Sequence, residues 1–365
     1  MSLRLEGVRK RFGATVALDG LDLEVPAGAS YGLIGPNGAG KTTTMRLILS
    51  ILAPDAGTIA WRGQPLRAWS RKTFGYLPEE RGLYPRMVVR EQMAFFGELR
   101  GLRADEARRC ADRWIERLAL GPHAAKKASE LSKGNGQKVQ LAITLLAEPD
   151  LVVLDEPFSG LDPVNVRLMK DVIRECLAAG GTLIFSSHSM EHVEELCRGV
   201  CLIHGGLALR AGSVDAVRAE GGRRMLRVGF VGDPPEAYAR LRSLLDGAPG
   251  GSATAPRPAT DEGAGLGAAG SAATDRTPKD GPESGIGHAR EYALPAGWDE
   301  GAALDAVRAA GPVRLFAVAP PTLEQVYVDL VGPTAHQPPP TRDDEGPSRR
   351  FLWGRRAGRD RRAGA

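Results

Sequence analysis

Up to about residue 222, short apolar runs alternate with stretches of helical period, the rhythm of a mostly parallel sheet covered by helices. The runs "ASYGLIG", "DLVVLDE", "GTLIFSS" and "GVCLIHGG" are apolar at successive positions, as strands buried on both faces should be. From residue 90 to about 128 the period becomes helical, in "REQMAFFGELRGL" and "DEARRCADRWIERLAL". This interruption predicts a helical subdomain over about residues 88–148 within a first domain of residues 1–222. A smaller unit is expected over residues 223–332, with strands "RMLRVGF", "REYAL" and "VRLFAVA" and helices "PPEAYARLRSLL", "EGAALDAVRAAG" and "TLEQVYVDLVG". In the last helix Thr322 is placed to cap, and Leu323, Val326, Tyr327 and Leu330 share one face. Residues from about 247 to 290 have no aromatics up to the strand and little aliphatic content, so they predict a disordered insertion. Residues 333–365 read as a Pro-rich linker and an Arg-rich tail.

Composition narrows the picture only slightly. A chain of 365 residues, 42% apolar and 25% charged, is ordinary for a globular protein of two domains. A net charge of +4 gives no argument for nucleic acid. Cys110, Cys176, Cys197 and Cys201 lack any C-x-x-C spacing and are expected as reduced thiols in apolar surroundings. The start "MSLRLEGVRKRFG" has no apolar signal region, and no window approaches a membrane span. The chain is therefore expected not to cross a membrane itself.

Two motifs carry chemistry. "GPNGAGKTT", residues 35–43, follows a buried strand and opens a helix expected through residue 52, which is the context of a phosphate-binding P-loop. Gly35, Pro36, Asn37, Gly38, Ala39 and Gly40 would turn their backbone toward phosphate oxygens at a helix N-terminus. Lys41 is expected to reach the β- and γ-phosphates, and Thr42, followed by Thr43, to ligate Mg²⁺. "LVVLDEP" runs an apolar strand into two acids. Asp155 is placed to hold Mg²⁺ through water, and Glu156 to orient and deprotonate the attacking water.

With these motifs in order, residues 2 to about 222 resemble the ATP-binding subunits of ABC transporters. "LSKGNGQ", residues 131–137, occupies the place of that family's signature; "SGLD" resembles its D-loop, and "GYLPEE" sits where its Q-loop falls. The resemblance implies an α/β P-loop ATPase fold with a mostly parallel sheet, a helical subdomain and an antiparallel β part, followed here by a small α/β domain. It implies that Phe12 stacks on adenine and that His188 of "SSHS" hydrogen-bonds the γ-phosphate. Two copies would pair head to tail, with Ser132, Gly134 and Asp162 of one copy meeting the ATP held by the other. The partners implied are a second copy and separate membrane permease subunits, reached from the cytoplasmic face. No nucleic-acid partner is implied.

The sequence departs from the family in three places. Glu79 or Glu80 replaces the usual Q-loop Gln, an acid still able to bind the metal. Lys133 and Asn135 replace commoner signature residues, similar to one branch of bacterial exporters. Gly136 in a first helical turn costs up to ~1 kcal/mol relative to Ala, so Gly136→Gln is expected to stabilise. "PTLEQVYVDLVG" resembles the end of the small domain in drug-resistance and sodium-extrusion type exporters, with a regulatory or dimer-stabilising role. The rival reading is a soluble ABC-type ATPase acting on ribosomes or DNA. One cassette without sustained heptads argues against it.

Overall fold

The computed structural model describes residues 2–69, 73–80, 82–220, 223–247, 257–258, 289–295 and 297–332. In chain order the elements are β1 (Ser2–Phe12), β2 (Thr15–Pro26), β3 (Ser30–Ile34), α1 (Lys41–Ile48), β4 (Ala56–Trp61), β5 (Gln64–Pro65), β6 (Phe74–Leu77), α2 (Val89–Leu99), α3 (Ala104–Arg117), α4 (Lys133–Leu145), β7 (Leu151–Asp155) and α5 (Pro163–Ala178). There follow β8 (Thr182–Ser187), α6 (Met190–Leu196), β9 (Gly199–His204), β10 (Leu207–Ser213), α7 (Val214–Ala219), β11 (Met225–Phe230), α8 (Pro235–Asp246), β12 (Arg257–Pro258), β13 (Arg290–Ala293), α9 (Glu300–Ala310), β14 (Val313–Ala319) and α10 (Leu323–Val331).

The central sheet has the order β10-β9-β3-β8-β7-β6, parallel except at β10. Strands β3, β7 and β8 are buried at every position, which is why their sequences run apolar without alternation. The antiparallel sheet β2-β1-β4-β5 packs its apolar side (Leu3, Leu5, Leu21, Trp61) with Leu33, Met45 and Val153 into one core. On the other face, α2, α3 and α4 share a second core with α5, α6 and the central strands. A third core lies between the sheet β12-β13-β11-β14 and helices α8 and α9.

Helix α10 carries apolar side chains out of this last unit and into the core beneath α6 and α7. Its cap is reciprocal: Thr322 accepts from the Gln325 N–H, while the Gln325 side chain accepts from the Thr322 N–H. Leu323, Val326 and Tyr327 are buried, but Leu330 is 37% exposed, correcting the expected four-residue face. Val331, in the last turn, still packs against that core, so it is Leu330 alone of the expected face that stays open. The Leu323 N–H donates to Glu194 of α6 at 2.6 Å, Arg218 of α7 donates to the Pro321 carbonyl at 2.8 Å, and Tyr327 Oη lies 2.9 Å from His204 Nδ1.

Helix α1 stops at Ile48, because Ser50 takes φ +54°, so it is shorter than the expected run to residue 52. Cys197 and Cys201 are buried, and Cys110 and Cys176 half-buried, all as thiols. Among the described residues no helix is long and apolar enough to cross a membrane. The proposed insertion lies outside the described residues apart from its ends and the two-residue β12, and residues 333–365 lie wholly outside them.

Candidate active site

The site forms at the C-terminal ends of the parallel strands, where β3 turns through residues 35–40 into α1. The turn is tight enough that two glycines are dictated by neighbours. A Cβ on Gly35 would lie 2.1 Å from the Ile203 carbonyl of β9; one on Gly40, which has φ +111°, would lie 2.7 Å from the Ala17 carbonyl of β2. The loop is tied behind by the Gly206 N–H, which donates to the Ala39 carbonyl at 3.0 Å. Asn37 and Gly38 are exposed, and Pro36, Thr42 and Thr43 half-buried, at the mouth of the loop.

Lys41 is buried and donates to the carbonyls of Gly35 at 2.7 Å and Pro36 at 3.2 Å. Burial pulls its pKa below the ordinary lysine range, while Glu156, Asp155 and Glu79 act in the opposite direction. Thr42 donates to Asp155 Oδ2 at 3.0 Å, joining the start of α1 to the end of β7. The next residue, Glu156, adopts φ +48°, a costly region for a residue with a Cβ. Burial raises the Glu156 carboxyl above its ordinary range, opposed by His188 and Lys41. His188 Nδ1 lies 2.9 Å from Glu156 Oε2, and the imidazole is 68% exposed, so it faces both the acid and the open side of the site.

Thus Lys41, Thr42, Asp155, Glu156 and His188 form one connected group. Glu79 joins it electrostatically and, with Glu80, Lys133, Gln137, Glu156 and Ser159, lines a cavity of about 260 Å³. Ser132 and Asp162 stand apart. Ser132 accepts from the Asn135 N–H at 3.3 Å as the N-cap of α4, and Asp162 accepts from the Asn165 N–H at 3.0 Å as the N-cap of α5. Among the described residues no hydrogen bond or ion pair joins residues 132–134 to residues 35–43. Phe12, 48% exposed, ends β1 opposite Thr15, at the tip of the hairpin whose second strand touches Gly40.

Three findings go beyond the sequence reading. A Cβ on Gly134 would meet Asn165 Nδ2 at 3.2 Å and Leu161 at 3.6 Å, so the chain's own α5 already crowds that position. Gly136 is buried, so the stabilisation expected of Gly136→Gln is withdrawn: a long side chain would have to displace its neighbours. Ser186 was missed altogether. It donates to Asp155 Oδ1 at 2.6 Å and accepts from the Glu156 N–H at 3.1 Å. The only sequence signal was a pair of hydroxyls at the end of an otherwise apolar strand.

A glycine-rich turn between a buried strand and a helix, with its lysine beside a strand-end acid pair, defines a P-loop nucleoside triphosphatase. The profile of the ABC transporter family matches residues 18–159. The uncharacterised ABC transporter ATP-binding protein YhaQ of Bacillus subtilis (strain 168) is 44% identical over 226 residues, covering 62% of this chain and 76% of that protein. The Nod factor export ATP-binding protein I of Paraburkholderia xenovorans (strain LB400) is 38% identical over 249 residues, covering 67% of this chain and 82% of that protein. A solved ATP-binding subunit of an ABC transporter superposes with a TM-score of 0.57 at 29% identity, over 61% of this chain and 94% of that one. The chain belongs to the ABC transporter ATP-binding proteins, and is an ATP-binding and ATP-hydrolysing subunit of that family.

Proposed function

We propose that two copies of this chain close head to tail over two ATP molecules and drive export through separate permease subunits, at the cytoplasmic face of the membrane. The observation that carries the reading is the division of the site. The P-loop, Asp155, Glu156 and His188 form one connected group, whereas the first turn of α4 makes its hydrogen bonds elsewhere, Ser132 accepting from the Asn135 N–H and Asn135 Nδ2 lying 3.0 Å from His123 Nε2. A helix start with free N–H groups is an anion site, and here its own P-loop does not engage it. The cavity beside Glu156 supports the same view. Its volume of about 260 Å³ is below the range of about 300–1,000 Å³ that encloses a drug-sized ligand. Its wall mixes the carboxylates of Glu79, Glu80 and Glu156 with the Lys133 ammonium. Export is favoured over import by the relative named for Nod factor export.

Within each half, the P-loop N–H groups and Lys41 bind the phosphates, and Phe12 offers a face for the adenine. Thr42 and Asp155 suit Mg²⁺: two hard oxygens 3.0 Å apart, leaving its other ligands to phosphate and water. Bound there, the ion would neutralise charge on the phosphate oxygens. Glu79 is a third candidate oxygen ligand. Glu156 accepts the proton of the attacking water, a role for which burial has moved its carboxyl toward neutral pH. His188, held by Glu156, orients that water and contacts the γ-phosphate. Ser132, Gly134 and Asp162 complete the pocket of the opposite copy. The unit of residues 223–332 stabilises or regulates the pair, through the docking of α10 under α6 and α7.

The test is Glu156→Gln. The variant should lose turnover and, with ATP and Mg²⁺, elute as a dimer from a sizing column. Near-normal hydrolysis would remove Glu156 as the base, and a monomer under those conditions would remove the closed pair.

A further inference from the structure

Strands β7 and β8 run parallel, with Asp155 opposite Ser186 on the last rung of the ladder, so both side chains leave the sheet on the same face. Leu183, Ile184 and Phe185 precede Ser186 and are buried. Ser186 is itself fully buried, and a hydroxyl at such a place must be satisfied locally. Its single proton goes to Asp155 Oδ1 at 2.6 Å, and a lone pair takes the Glu156 N–H at 3.1 Å. Asp155 Oδ2 receives the Thr42 hydroxyl at 3.0 Å. Rotation of the Asp155 carboxylate is therefore fixed from both sides, by a residue of α1 and a residue of β8.

The second bond acts on the other acid. Glu156 has left the ladder at φ +48°, where its N–H would otherwise be a buried donor without a backbone acceptor. One hydroxyl thus sets the side chain of the first acid and the main chain of the second.

We propose that Ser186 is a positioning residue for ATP hydrolysis. It turns Asp155 Oδ2 toward Thr42 and anchors the backbone from which Glu156 reaches His188 and the water. This rests on the reading of Thr42 and Asp155 as the pair that holds Mg²⁺.

ATP binding is measured by equilibrium dialysis in excess chelator and in Mg²⁺ for wild type, Ser186→Ala, Ser186→Cys and Ser187→Ala, alongside kcat, KM and melting temperature. Ser187, the neighbouring buried serine, accepts from the Ser189 N–H at 3.0 Å and controls for loss of a buried hydroxyl. Ser186→Cys keeps a weak donor of similar shape and serves should the alanine variant fail to fold. Ser186→Ala should bind ATP normally in chelator and lose roughly 10- to 100-fold in Mg²⁺-dependent affinity and in kcat, the usual cost of removing a partner behind a metal ligand. Ser186→Cys should fall between, and Ser187→Ala should keep the wild-type Mg²⁺ dependence. The proposal is overturned if Ser186→Ala and Ser186→Cys respond to Mg²⁺ as wild type does. It is equally overturned if Ser187→Ala loses as much, or if all losses track melting temperature. A wild type indifferent to Mg²⁺ would remove the metal reading and this inference together; a dependent wild type with an equally dependent Ser186→Ala would remove only this inference.

Discussion

Ser132 has a role that the structure displays, capping α4, and a proposed role, meeting the phosphate of a second copy. Ser132→Asp separates them. Asp and Ser are equivalent N-caps, and a carboxylate at a helix N-terminus gains about 0.3–1 kcal/mol from the helix dipole. The 3.3 Å bond from the Asn135 N–H leaves room for the shorter contact that a carboxylate makes. The nucleotide-free variant should therefore melt at the wild-type temperature or up to about 4 °C higher. Against a triphosphate the sign reverses. A full negative charge about 4 Å from a phosphate oxygen costs about 4 kcal/mol at an effective dielectric of about 20, or roughly a thousandfold. Steady-state hydrolysis, read by phosphate release at saturating ATP, should fall by about that factor, whereas Ser132→Asn, an equally good neutral cap, should lose much less. Wild-type hydrolysis by Ser132→Asp, or a melting temperature that falls as steeply as its activity, would exclude contact between Ser132 and the phosphate of a second copy.

Other outcomes follow from the same geometry. His192 packs edge-on against Phe158, and burial lowers its pKa from 6.5 to about 4. Between those values the unfolded chain binds a proton that the folded chain refuses, so stability should fall as pH drops through that window, and His192→Phe should flatten the acid limb of a denaturant-midpoint against pH curve. Gly35→Ala places a Cβ against the Ile203 carbonyl and should abolish ATP binding by equilibrium dialysis while leaving much of the fold's circular dichroism. Leu323→Ala removes a fully buried side chain that joins α10 to the larger core. It should cost about 2–4 kcal/mol by denaturant unfolding and speed hydrogen exchange in α10, α6 and α7.

How much of this was legible in the sequence depended on distance along the chain. Lys41, Thr42, Asp155 and Glu156 sit in contiguous motifs whose strand-turn-helix setting is itself readable, and apolar runs marked the buried strands. Ser186 was illegible because its meaning comes from parallel register between β7 and β8, a non-local fact that no single run encodes. Gly134 was read only as room for a phosphate, since Asn165 becomes its neighbour only when α4 and α5 pack. The helical period over α10 placed Leu330 with Leu323 and could not show that Leu330 is left exposed once α10 docks. Likewise, nothing local tied Tyr327 to His204, which precedes the glycine pair that braces the P-loop.

The proposed head-to-tail pair leaves one copy of the chain with an unfinished catalytic pocket. Specific ATPase activity measured across protein concentration tests it most directly. The rate per molecule should climb with concentration and level off as dimers fill, in step with a sedimentation shift seen with ATP in Glu156→Gln. A rate per molecule that stays flat at its full value, down to dilutions where only monomer sediments, would contradict it.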